Sequence, residues 1–169
     1  MGSDDDLRWM ELAIELAWRA PQSLAAYSVG AVVVGADGAE LSRGFSREGG
    51  DSHVHAEEAA LGKLGPGDPR LAGATMYSTL EPCSQRKSRR CSCTELILAT
   101  RGAAPGRLAG SGGSDGNLGF GRVVIAWREP GLFVADCQGV ELLAQAGIEV
   151  TELPELAELA KAPNRHLGV

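Results

Sequence analysis

His55-Ala56-Glu57, Glu81-Pro82-Cys83 and Cys91-Ser92-Cys93 hold most of the soft-ligand chemistry in this sequence, which has three His and four Cys in 169 residues. A borderline-soft, tetrahedral ion such as Zn²⁺ takes imidazole and thiolate ligands. A catalytic site uses three protein ligands and leaves the fourth position for water. Two thiolates and one imidazole cancel the ion's double charge, so the shell is neutral before water binds. The ion then lowers the water's pKa towards about 7, making hydroxide available at neutral pH. Glu57 is the further clue. In mid-helix, residues two apart point about 200° away from each other. In a first turn, however, His55 and Glu57 can both converge on a site beyond the helix end. A carboxylate there could take a proton from the activated water and deliver it to a leaving amine, without itself binding the metal.

The elements that must position these residues are legible from periodicity. Asp6 to Arg19 has apolar residues at helical spacing and ends before Pro21. Ser28 to Val34 is a short β-branched run that reads as a buried strand. Asp37-Gly38 is a hairpin turn, and Glu40 to Phe45 is the return strand. A helix is predicted over His55–Leu64, a strand over Ala74–Leu80 and a helix over Cys93–Thr100. A Gly-rich excursion over 102–121 follows, then a strand over Arg122–Trp127, a helix over Val140–Ala146 and a strand over Ile148–Thr151. Pro154 is placed to open a last helix, 154–161. Helices alternating with strands predict an α/β fold, a three-layer α/β/α sandwich on a mixed sheet of about five strands.

Composition bounds the rest. With 44% hydrophobic residues, residues 1–169 suit a single domain, its core about 6–151. No apolar run reaches about 18 residues, so no membrane span is expected, and Asp4-Asp5-Asp6 resembles no targeting segment. Four cysteines are too few for a disulfide scaffold, which implies reduced thiols and a cytoplasmic protein. A net charge of −6 argues against nucleic acid as a partner. Within that acidic chain, Arg86, Lys87, Arg89 and Arg90 form one basic run between the thiols, suited either to a substrate phosphate or to solvent. Cys137 reads as a small core residue, His166 as an idle tail residue, and Trp127 as core or a contact between subunits.

The pairing of His55-Ala56-Glu57 with Pro82-Cys83, about 25 residues on, resembles the zinc-dependent cytidine deaminase superfamily, with its H-x-E and P-C-x-x-C signature. The Val29-Gly30-Ala31-Val32 strand upstream fits the same order. The usual two-residue gap between thiols is absent, since Cys91 and Cys93 follow Cys83 after seven and nine residues. A wider gap is a feature of the riboflavin-pathway pyrimidine deaminases, which Leu80 to Ser84 and Cys93 to Ile97 resemble. Cys93 is the preferred third ligand because it opens a predicted helix, whose dipole favours a thiolate. Cys91 is its rival.

The resemblance implies one zinc per chain and hydrolytic deamination of an aminopyrimidine nucleotide, with Glu57 moving the proton. Backbone near Cys83 and the Val29-Gly30 strand would hold the ring. It also implies a homo-oligomer, dimer or tetramer. Ser46, Arg47 and His53 are further substrate-side candidates from the loop before the metal helix. Two expectations of that branch are unmet, however. Ser46-Arg47 stands where a His is expected, and Ala26-Tyr27-Ser28 where an Asn is expected. Cytidine, dCMP, guanine or a specialised metabolite therefore stay open as substrates. The reading from another class is a non-catalytic zinc domain closed by His55, Cys83, Cys91 and Cys93.

Overall fold

A computed structural model describes residues 2–65, 67–102 and 119–169. The Gly-rich excursion expected over 102–121 therefore lies, but for its ends, outside the described residues. Helix α1 (Asp4–Ala17) starts two residues before the expected boundary because Ser3 caps it. The Ser3 hydroxyl accepts the Asp6 N–H, and the Asp6 carboxylate accepts the Ser3 N–H, a reciprocal cap. The sheet follows: β1 (Gly30–Val34), β2 (Glu40–Phe45), β3 (Thr75–Leu80), β4 (Arg122–Trp127) and β5 (Glu149–Glu152). Its order is β2-β1-β3-β4-β5. β1 runs antiparallel to both β2 and β3, while β3, β4 and β5 are parallel. The mixed five-stranded α/β sheet is the one expected. Among the described residues, no helix is long and apolar enough to cross a membrane.

β1 begins two residues later than the sequence suggests because side chains take the backbone there. Asn164 holds both Ser28 N and Ser28 O, at 2.7 and 3.0 Å, and the Ser46 hydroxyl accepts the Val29 N–H at 2.9 Å. Helices α2 (Ala56–Gly62), α3 (Cys93–Ala99) and α4 (Gly139–Gln145) lie side by side on one face, with α1 and α5 (Ala157–Lys161) on the other. α5 is shorter than expected, since Pro154–Leu156 forms a separate 3₁₀ turn before it. Alternation along β3 serves both faces. The Tyr77 hydroxyl reaches Asp6 of α1, and the next residue, Ser78, reaches Glu57 of α2.

At the far end of the sheet Asp6 also pairs with Arg122 at 2.6 Å. Burial alone would raise the Asp6 carboxyl, but bonds from Arg122, Ser3 and Tyr77 hold it well below the usual carboxylate range. α1 crosses β1 where Gly30 has no side chain. A methyl there would lie 1.9 Å from the Ala13 carbonyl oxygen and 2.8 Å from the Ala17 nitrogen. These are backbone atoms that cannot swing aside. Gly30→Ala is therefore expected to cost about 3 kcal/mol. Urea melts would check this; an unmoved midpoint would mean the helix is free to retreat.

Candidate active site

The parallel strands β3 and β4 end together, and the chemistry gathers where they stop, at the N-termini of α2 and α3. His55 is the N-cap residue of α2 and Glu57 sits in its first turn. Cys83 follows the end of β3. Cys93 is the first residue of α3, because Ser92 caps that helix: its hydroxyl accepts Glu95 N–H, while Glu95 accepts Ser92 N–H at 2.7 Å. Glu81 fastens this end of the sheet. Its buried carboxylate accepts the backbone N–H groups of Val140 and Glu129, at 3.0 and 3.2 Å, tying β3 to α4 and to the segment after β4.

One donor atom from each of His55, Cys83 and Cys93 lies within 4.8 Å of the others, an arrangement able to hold a metal ion. His55 Nδ1 is 3.6 Å from Cys83 Sγ and 3.5 Å from Cys93 Sγ. Zinc bonds of about 2.3 Å to sulfur and about 2.05 Å to nitrogen, at a tetrahedral angle, place those atoms about 3.6 Å apart. The donor set and its spacing both fit zinc. Cys91, two residues earlier, lies outside this cluster.

The local electrostatics favour a thiolate. The Cys93 backbone N–H donates to Cys83 Sγ at 3.4 Å. A hydrogen bond from the Cys93 thiol and the neighbouring His55 hold the Cys83 thiol well below its ordinary value, against the effect of burial. The fully buried Cys93 is pushed the other way, because it supplies that hydrogen bond. Burial also raises the Glu57 carboxyl, with His55 opposing. Glu57 is 3% exposed, and the Ser78 hydroxyl stands 2.9 Å from its Oε1.

A cavity of about 730 Å³ opens over this cluster, with Val29, Ser46, Arg47, His53, His55, Glu57, Cys83, Arg86 and Lys87 in its walls. Arg89, Arg90 and Cys91 are not in those walls. Arg86 and Arg89 are engaged with carboxylates, whereas Lys87 has no ion pair among the described residues. Arg47 is buried in a left-handed backbone conformation, φ 63°. Its guanidinium donates to Pro21 O, Tyr27 O and Ser28 Oγ at 2.7, 2.9 and 3.0 Å. Burial lowers its pKa.

Other walls come from residues the motifs did not point to. Tyr27 and Phe133 meet edge to face, ring centres 4.7 Å apart, and the Tyr27 hydroxyl donates to Glu129 at 3.1 Å. Trp127 is buried against Tyr27 outside the cavity walls. Cys137 is half-buried, its thiol 3.7 Å from Pro82 O. His166 is exposed and contacts Ser23 O at 2.8 Å. Nothing in the sequence singles out Ser78, because Tyr77 and Thr79 beside it in the same buried strand also carry hydroxyls.

Comparison with known proteins follows the same lines. The family model of the cytidine and deoxycytidylate deaminase zinc-binding region matches residues 3–104. A diaminohydroxyphosphoribosylamino-pyrimidine deaminase of Schizosaccharomyces pombe is 39% identical over 146 residues, 85% of this chain and 31% of that protein. The riboflavin biosynthesis protein RibD of Aquifex aeolicus is 35% identical over 86% of this chain and 34% of its own length. The chain thus spans about a third of the length of the curated relatives it matches. Among solved structures, Acinetobacter baumannii RibD superposes with a TM-score of 0.70 at 31% identity, over 96% of this chain and 38% of that one.

Proposed function

The chain belongs to the cytidine and deoxycytidylate deaminase zinc-binding family, and from that premise we propose that it is a hydrolytic deaminase of an aminopyrimidine nucleotide. The observation that carries this reading is the buried Glu57 beside a three-donor metal cluster on one cavity. A structural zinc site would close with four ligands and would have no use for a general base. His55, Cys83 and Cys93 would hold one zinc per chain, the ion supplying the Lewis acidity that makes hydroxide available near neutral pH.

The residues of the chain do the remaining work. Glu57 takes a proton from the attacking water as its oxygen adds to the ring carbon bearing the amine. It gives that proton to the ring nitrogen, then takes the remaining proton from the added hydroxyl and passes it to the amine. The carbon–nitrogen bond then breaks, ammonia leaves and a carbonyl remains. Ser78 keeps the Glu57 carboxylate turned towards the cavity through the 2.9 Å hydrogen bond. Ser46, Arg47, His53, Arg86 and Lys87 form the substrate side, with Lys87 and Arg47 as the cations without a carboxylate partner among the described residues.

The phosphoribosylaminopyrimidine named for the fission-yeast relative is the substrate class this reading favours. Residues 1–169 are read as one deaminase domain of a cytoplasmic protein whose four cysteines are free. It would work as a homo-oligomer, for which exposed Phe133 in the cavity wall, with exposed Leu24 and Leu132 next in sequence to wall residues, offers apolar surface. An ammonia-release screen of the zinc-loaded protein tests the function. It should pair phosphorylated and dephosphorylated aminopyrimidines, cytidine compounds and guanine. Ammonia is expected from the aminopyrimidine nucleotide, at least tenfold slower without its phosphate. Silence on every amine would sink the enzyme reading, and equal rates with and without phosphate would remove the phosphate contact.

A further inference from the structure

The basic run between the two thiols is drawn towards a carboxylate one turn into the metal helix. Glu58, the residue after Glu57, accepts the His55 backbone N–H at 3.4 Å through Oε2. The same oxygen pairs with Arg86 Nη1 at 2.8 Å, and Oε1 accepts Arg89 Nε at 3.1 Å. Arg86, whose side chain is 3% exposed, also donates from Nη2 to His53 O and from Nε to Ser88 Oγ. Arg89 reaches Asp51 as well, and Asp51 in turn accepts the His53 N–H at 2.9 Å. Apart from Ser88, which lies in the loop itself, every partner of Arg86 and Arg89 lies in residues 51–58, the stretch that carries His55 and Glu57.

The two halves of the site come from separate parts of the chain. One half is His55 with Glu57, and the other is Cys83 with Cys93. A nine-residue loop joins the two cysteines, which Thr94 ties to each other through its N–H to Cys83 O at 3.2 Å and its hydroxyl to Pro82 O at 3.1 Å; what remains to be set is how this pair sits against the imidazole. We infer that Glu58 is a positioning residue: with Arg86 and Arg89 it clasps the inter-cysteine loop to the metal helix, so that the ligands are assembled independently of the metal. The pairs are only partly exposed, which spares them full solvent screening. Arg89 adds direction through its Nε hydrogen bond, while Arg86 adds a close charge contact. The idea rests on the zinc reading above for the identity of the ion, but the clasp is formed by residues of the chain alone.

The test uses the zinc-loaded full chain and Glu58→Gln, which keeps the size of the side chain and an acceptor for His55 N–H while removing the charge. Two measurements do not depend on turnover: zinc affinity by competition with a chromogenic chelator, and hydrogen exchange across residues 84–92. The variant is expected to bind zinc about 10- to 100-fold more weakly, as loss of an outer-shell partner typically does, and to exchange faster in that loop. kcat should fall while KM stays within about twofold, a split that general loss of packing would not give. Unchanged zinc affinity and unchanged loop exchange would overturn the inference.

If Glu58→Gln proves too unstable to load, Arg89→Gln, at the more exposed end of the clasp, decides by the same two readouts. A parent chain that binds zinc but releases no ammonia would remove the deaminase reading and leave this test standing. A parent that binds no zinc would remove the zinc reading. The exchange measurement would then still decide the clasp.

Discussion

Glu57→Gln is expected to retain one zinc per chain and to lose deamination by about 100- to 10,000-fold in kcat, the range general acid–base catalysis supplies. Each tenfold of that loss corresponds to about 1.4 kcal/mol of transition-state stabilisation. The substitution is nearly isosteric and takes a buried charge away, so it should not unfold the chain. Burial already disfavours the ionised Glu57 carboxyl. The Ser78 hydroxyl at 2.9 Å can donate to a glutamine oxygen as it does to the carboxylate. What an amide cannot do is accept the water proton and pass it on. Steady-state kinetics beside metal analysis of the same preparation would check the prediction. A variant within tenfold of the parent would mean that Glu57 is not the proton carrier. A variant without zinc would mean that the carboxylate supports the metal cluster. Neither result would make the chain a non-catalytic zinc module; that class requires a zinc-loaded parent that releases no ammonia from any amine.

How much of this was legible in the sequence depended on whether local chemistry set the outcome. The sheet was, because β-branched runs and the Asp37-Gly38 turn specify strands locally, and β1 proved buried on both faces as its composition implied. The His55-x-Glu57 and Pro82-Cys83 pairs were legible because their meaning lies in short spacing. The start of β1 was not. Asn164, 136 residues away in sequence, holds Ser28 through two hydrogen bonds, and no local pattern announces that. The basic run was legible as charge but not as a contact. Glu58 reads as an ordinary surface residue of a helix until the fold brings Arg86 and Arg89 onto it. The cavity wall from Tyr27 to Phe133 was equally hidden, since its aromatic contacts cross more than a hundred residues. Motifs of fixed spacing survive reading from sequence, whereas pairings between distant segments need the fold.

Cys93→Ser and Cys91→Ser should give opposite results although only one residue separates the two positions. Cys93 is 0% exposed and its sulfur belongs to the three-donor cluster, whereas Cys91 is half-exposed and lies outside it. The difference comes from Ser92. By capping α3 it makes Cys93 the first helical residue, and the chain direction at the cap carries Cys91 back into the loop. A serine hydroxyl stays protonated where a thiol gives up its proton to the metal, so Cys93→Ser should weaken zinc binding on the order of a thousandfold and abolish activity. Serine is close to cysteine in size and retains the backbone N–H that donates to Cys83 Sγ at 3.4 Å. The fold should therefore persist, shown by an unchanged far-ultraviolet circular dichroism spectrum. Cys91→Ser should keep one zinc per chain and activity within about twofold. The reverse pattern would place the metal on the loop thiol and turn the α3 N-terminus into packing. If both variants lost zinc, the site would be the closed four-ligand kind, with no position left for water and no hydrolysis to explain.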